Sequence, residues 1–244
     1  MGDLITTLMV CHFIASVCAA EIRNLRTSTV FLLAQSLLLA LIIVAFAEQS
    51  QNYTLYWWAG LTVLTKAIII PGLLWWHIKR TNAMEIKPLV SFVVSFIVLA
   101  VFLISFYQLV HTYVNFLAPT AAAAVEPSRS ALALSLTIFV LGLYVLVVHR
   151  DAVKIIIGLH LIENGVHLAL VTLVPQMPVT TVLGIVSNVV FAAVMLLWLT
   201  ENIYRTFGSA DTLKLSTLKR SELATETQRH GDHALRAGGY PEEQ

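Results

Sequence analysis

GLHLIENGVHLALV, Gly158–Val171, sets one acidic residue, Glu163, in the middle of an otherwise apolar helical run. The apolar stretch around it extends over about 153–174, the length of one membrane crossing. An ionisable group at that depth costs roughly 2.5–3.5 kcal/mol on insertion scales, and more if left unpaired in hydrocarbon, so the fold must compensate it. The default reading of such a residue is a site on an ion pathway. His160 precedes Glu163 by three positions and His167 follows it by four, spacings that stack all three side chains on one helical face. Protons are the cargo that such a face suits.

Composition places the rest of the chain in the same medium. Hydrophobic residues make up 58% of the 244, charged residues only 12%, and mean hydropathy is +0.81, which excludes a soluble domain and a nucleic-acid partner. Apolar runs at 4–20, 28–47, 55–76, 89–117, 131–148, 153–174 and 181–203 read as spans. Of the 15 lysines and arginines, all but Lys66, inside a span, and Arg129 fall on one side of such a bundle. The positive-inside rule then puts the N-terminus outside and the tail in the cytoplasm. The expected fold is all-α, a multi-pass protein of the cell (plasma) membrane with about seven transmembrane helices.

The first span is expected to be retained rather than cleaved. It has no basic segment before it, carries Asp3 at its start, and is followed by Arg23 and Arg26. Cys11 and Cys18 lie seven apart on that helix, too far along one rod to bridge, and read as packing residues. No cysteine set with metal-ligand spacing exists, so no metal site is expected. The sequon at Asn52-Tyr53-Thr54 reads as chance. The polar tail from Gly208 to Gln244 reads as disordered, or as a short surface helix around Leu213–Leu223.

Lys66, in LTVLTKAIIIPGLLWW, is the second ionisable residue inside a span. It lies about 11 residues from the outer start of its helix, roughly 16 Å deep at 1.5 Å per residue, and Glu163 lies about 10 residues from the other side of its own. His12 shares that depth by the same count. A lysine beside a carboxylate can stay charged and exchange protons, or the two can form a static pair that fixes helix packing. Pro71 leaves the carbonyl of Ala67 without its amide partner, so a kink is expected just past Lys66. Ser187 and Asn188, in the last span, could bridge waters to Glu163 or hydrogen-bond a neighbouring helix. His111, Gln108 and Asn115 read as interfacial, and Trp57, Trp58, Trp75 and Trp76 as interface anchors of the third span.

The segment from about Ala131 to Arg205, with GLHLIENGVHLALV in its middle helix, resembles the K subunit of bacterial complex I and the C subunit of multi-subunit cation/proton antiporters. In that K subunit a functional glutamate of the middle helix stands between a glycine and an asparagine. Matching these to Gly158 and Asn164 puts it at His160, so the carboxylate here is displaced one turn, to Glu163. A second glutamate of the K subunit's third helix has no counterpart in SNVVFAAVMLLWL, from Ser187. With four further N-terminal spans, TKAIIIPGLL and LIENG in one chain, the sequence is similar to the hydrogenase-4 component E family over residues 1–206.

That resemblance divides the chain into a four-helix part, 1–130, a K subunit-like three-helix part, 131–206, and a tail, 207–244. It implies a cofactor-free membrane subunit of a complex I-related, redox-driven ion pump, packed among large antiporter-like subunits and helping to couple electron transfer elsewhere to proton or sodium movement. Such a subunit carries no redox centre or catalysis of its own. Its proton relay would be centred on Glu163, with His160, His167, Lys66, Asn188 and His12 as further members. Two other readings are a haem-binding, cytochrome b-like electron carrier using His12, His111, His160 or His167, and a structural scaffold of the same complex.

Overall fold

The computed structural model describes residues 2–81, 92–118, 124–149, 151–174 and 178–207. A backbone in lipid has no water to bond its amides and carbonyls, so each apolar run closes its hydrogen bonds within itself as a helix. The elements are α1 (Gly2–Glu21), α2 (Leu25–Ser50), α3 (Thr54–Thr62), a π-helical segment (Val63–Ile69), α4 (Ile70–Thr81), α5 (Phe92–Leu117), α6 (Ser128–Val148), α7 (Ala152–Leu173) and α8 (Val179–Phe207). Six rods among the described residues are long and apolar enough to cross a membrane, with α3, the π segment and α4 forming one of them, Thr54–Arg80. The seventh expected span, 181–203, falls on α8, several of whose side chains lie outside the described residues. The protein is a multi-pass membrane protein with an all-helical fold. Its tail, 208–244, lies outside the described residues.

The chain divides into two compact units, Met1–Trp198 and Leu199–Gln244, and the described part of the second is the end of α8. Within the first, α2 is the central rod, packed on α1, the π-containing rod and α7. Local signals end these helices where polar side chains supply caps. The Asn24 carboxamide accepts from the amides of Arg26 (3.0 Å) and Thr27 (3.3 Å) to start α2. Gln51, in the left-handed region at φ 51°, terminates it. Asp151 accepts from the amide of Val153 at 2.8 Å to start α7. Burial raises the Asp151 carboxyl above its ordinary value, against the pull of the Val153 and Lys154 amides.

Helices α6 and α7 meet through glycines. A Cβ on Gly142 would stand 2.6 Å from both the Gly158 carbonyl oxygen and the Ile162 nitrogen, and one on Gly165 would stand 2.7 Å from the Ser135 carbonyl oxygen. Lipid tails are as apolar as a leucine, so close packing holds membrane helices together, and small residues permit it. Gly158, Ile162 and Gly165 lie about 140–200° around α7 from His160, at 3.6 residues per turn. Docking that face on α6 turns the polar face of α7 toward α2 and the π segment.

Ahead of Pro71, at the place where the sequence leads one to expect a kink, the backbone widens into the π register, with the Ile70 amide bonding the Thr65 carbonyl. Two other expectations are corrected. Trp58 is fully buried rather than an interface anchor, because it points into the bundle beside α7, whereas Trp57 is exposed. Lys154 belongs by sequence to the basic residues of one membrane face, yet its side chain is buried. Its ammonium donates to the carbonyls of Ala19 (2.9 Å) and Ala20 (2.7 Å) and to the Ser28 hydroxyl (3.0 Å), capping the last turn of α1.

Candidate functional site

The π segment carries Lys66 in its middle, and the widened turn aims that side chain at the polar face of α7. Lys66 is fully buried. Its Nζ donates to Asn164 Oδ1 at 2.7 Å, bonds His167 Nδ1 at 2.8 Å, and pairs with Glu163 Oε2 at 3.4 Å. An ammonium has three protons and no lone pair, and here it faces three acceptors. When Lys66 is charged, His167 Nδ1 must therefore be the bare nitrogen, and the ring proton sits on Nε2. That nitrogen lies 3.7 Å from Glu163 Oε1.

His160 approaches the same carboxylate from the other side. Its Nδ1 is 3.9 Å from Glu163 Oε2, and its Nε2 is 3.0 Å from the Ser36 hydroxyl of α2. That hydroxyl already donates to the Leu32 carbonyl at 2.9 Å, so it accepts from His160 Nε2–H. A neutral His160 thus presents a lone pair, not a proton, to Glu163. The carboxyl can then donate its own proton to that ring, directly or through a bridging water.

Glu163 is the hub of this arrangement. Neither of its oxygens has a protein hydrogen bond, although the group is 94% buried by its 6% residual exposure. Unbonded buried carboxyl oxygens are costly and rare, and bridging waters are the usual remedy. Lys66 lies at the ion-pair distance of 3.4 Å, and the His167 and His160 nitrogens, at 3.7 and 3.9 Å, stand just beyond direct hydrogen bonds.

His12 of α1 is also fully buried. It donates from Nδ1 to the Gln35 carbonyl at 3.0 Å, so it meets α2 one residue from where His160 meets Ser36. Its Nε2 and both polar atoms of the Gln35 carboxamide have no protein partner. Asn188 stands apart: it is exposed on α8, and among the described residues no hydrogen bond joins it to the cluster. The structure thus gathers Glu163, His160, His167 and Lys66 at one locus, sets His12 beside it across α2, and leaves Asn188 outside.

Sequence reasoning missed Asn164, Ser36 and Trp58 as site residues. Asn164 lies next to Glu163 in LIENG and was legible as a polar residue on the same face. Ser36 carries no signal, because serines in apolar helices commonly bond their own backbone. Trp58 packs edge-on against the His167 ring, centroids 5.6 Å apart at 82°.

Among the described residues no group of three or more His, Cys, Asp or Glu converges as a metal site. A haem fits poorly here. His160 Nε2 and His167 Nδ1 are engaged by Ser36 and Lys66, and the remaining ring nitrogens of both face the Glu163 carboxylate, where an iron would have to stand. His111 lies elsewhere, bonded to Glu126 at 3.0 Å and stacked on Tyr107.

Comparison with known proteins bears on the same region. Residues 130–220 match the family described as NADH-ubiquinone/plastoquinone oxidoreductase chain 4L. Hydrogenase-4 component E of Escherichia coli (strain K12) is 28% identical over 206 residues, covering 84% of this chain and 93% of that protein. The chain is a homologue of hydrogenase-4 component E. The same protein of Shigella flexneri matches equally. An uncharacterized protein, Rv0085, of Mycobacterium tuberculosis is 28% identical over 163 residues, 66% of this chain and 71% of its own length. No solved structure matches the chain. All of α7, with Glu163, His160 and His167, lies inside the chain 4L match, whereas Lys66 and His12 lie outside it.

Proposed function

We propose that this chain is a cofactor-free membrane subunit of a complex I-related, hydrogenase-4-like ion pump, and that it supplies an intramembrane proton relay centred on Glu163. The relationship to hydrogenase-4 component E and to oxidoreductase chain 4L supports the coarser statement, a membrane subunit of a complex I-related hydrogenase complex. The observation that carries the relay is one buried locus in which two imidazoles and an ammonium each lie within 3.9 Å of a single carboxyl. Each of these groups can both bind and release a proton, and the low-dielectric surroundings make every transfer sensitive to a charge arriving nearby.

Electron transfer would occur in partner subunits, and large antiporter-like subunits would complete the path. The N-terminal four-helix part, 1–130, contributes Lys66, and the K subunit-like part, 131–206, contributes Glu163, so the locus forms only where the two parts meet. The complex would sit in the plasma membrane with the basic end of the bundle in the cytoplasm.

The test is Glu163→Gln in the assembled complex. The amide keeps the volume and hydrogen bonding but not the titration. Assembly should be retained and proton translocation should fall at least ten-fold, while the redox half-reaction with an artificial acceptor stays near the wild-type rate. An assembled Glu163→Gln complex that pumps normally would leave a packing role as the better account.

A further inference from the structure

One turn beyond His167 on α7, Val171 and Thr172 line a cavity of about 220 Å³, whose other walls include Gln49, Leu55, Glu126 and Ser128. It opens at the end of the bundle opposite Lys154. Leu55, Trp58, Thr62 and Lys66 follow one another at spacings of three, four and four, so a single face of the third rod runs from the cavity wall to the ammonium.

On that face, and on the His167 ring that Trp58 meets, three buried polar atoms have no protein partner: Trp58 Nε1, Thr62 Oγ1 and His167 Nε2. Buried donors and acceptors are almost always satisfied, by ordered water where the protein offers nothing. Waters bonded to these three atoms would form a hydrated thread along the face. Trp58 stands on it, fully buried and edge-on to the His167 ring. An indole N–H donates but cannot accept, so a water chain can end on Trp58 but cannot pass a proton through it. The Thr62 hydroxyl does both.

We propose that this cavity is the water-filled port of the relay at the Glu126 end of the bundle, and that Trp58 is the septum that separates it from the Lys66–His167 pair. The inference rests on the relay reading and adds its second opening and the residue that closes it. Movement of the indole away from His167 would join the port to the cluster through Thr62. With the indole in place the cluster is isolated from that side, as a pump needs in order to avoid leaking.

Thiol access in the purified complex, reconstituted in vesicles, tests the port separately from pumping. In a Cys11→Ser, Cys18→Ser background, Gln49→Cys should react readily with a membrane-impermeant methanethiosulfonate from one face of the vesicle, whether or not Trp58 is altered. Thr62→Cys should react slowly with Trp58 present and at least ten-fold faster when Trp58→Ala is added, or Trp58→Leu where the alanine variant does not assemble. An unreactive Gln49→Cys would remove the port. A Thr62→Cys rate that ignores the Trp58 substitution would remove the septum. Labelling reports water access and not translocation. If Glu163→Gln pumps normally while the labelling pattern holds, the relay alone falls.

Discussion

Lys66 and Lys154 are both buried lysines inside apolar helices, at 0% and 1% exposure, and they are built for different tasks. The three protons of Lys154 go to two backbone carbonyls and a serine hydroxyl, none of which can take a proton at ordinary pH. That ammonium is a fixed cap on the C-terminus of α1, where the helix dipole favours a cation. The three protons of Lys66 face an amide oxygen, an imidazole and a carboxylate, and two of these can accept one outright. Burial is the same in both places, so the acceptors decide whether a buried lysine is a bracket or a carrier.

The largest effect separating the two is expected on translocation. Lys66→Met should lower proton pumping by at least ten-fold with the redox half-reaction intact, because Glu163 loses its counter-ion and stays protonated. Adding Glu163→Leu removes the unpaired carboxyl as well. Assembly should then recover fully and pumping should not, measured as protons moved per electron in reconstituted vesicles. Recovery of both together would place Lys66 with Lys154, as a packing device.

Lys154→Met should act in the opposite sense. It strips three hydrogen bonds and takes the ammonium from the Ala20 carbonyl, while the Ala19 carbonyl keeps the Ser28 hydroxyl as a donor, at about 1–3 kcal/mol for a group left unsatisfied. The yield of assembled complex and its thermal midpoint in detergent should drop. Pumping per assembled complex should match the wild type. A pumping defect in the complexes that do form would break the distinction between cap and carrier.

The smallest effect lies in the loop between α6 and α7. His149 is held down to about 4, first by burial and then by the charge of Lys154. A histidine with a lowered folded value stays neutral while the unfolded chain takes up a proton, so its contribution to stability is lost as pH falls from about 6.5 toward 4. Lys154→Met removes the positive neighbour, and the His149 titration followed by NMR should move upward. An unchanged midpoint would mean that the Lys154 ammonium is neutralised in the wild type.

Much of this was legible in the sequence, and for identifiable reasons. The spans at 28–47 and 131–148 fall within α2, Leu25–Ser50, and α6, Ser128–Val148, because hydrocarbon allows an apolar run no option but a helix. Glu163, His160 and His167 share a face because helical periodicity leaves no choice. Lys66 and Glu163 meet at the depth that counting residues from each membrane face implies. The partners of that pair were not legible. Helix α2 is apolar nearly all round, so nothing in it says that Ser36 and Gln35 look inward while Leu33, Leu37 and Leu41 are exposed. In a membrane both sides of a helix are apolar, and the amphipathic pattern that orients a helix in water is faint.

The sequence by itself determined an all-helical membrane protein, the depth of its ionisable residues and the one helix on which most of them sit, since these follow from the solvent and from 3.6 residues per turn. Only the tertiary structure decided which way each helix faces. Close contact of Gly142 with Gly158, and of Gly165 with α6, turns the polar face of α7 inward. The π register ahead of Pro71 turns Lys66 to meet it. Trp58 is drawn into the core beside His167 for the same reason, because the shape of the packed interface, and not the polarity of single residues, chooses what is buried in a medium as apolar as the side chains themselves.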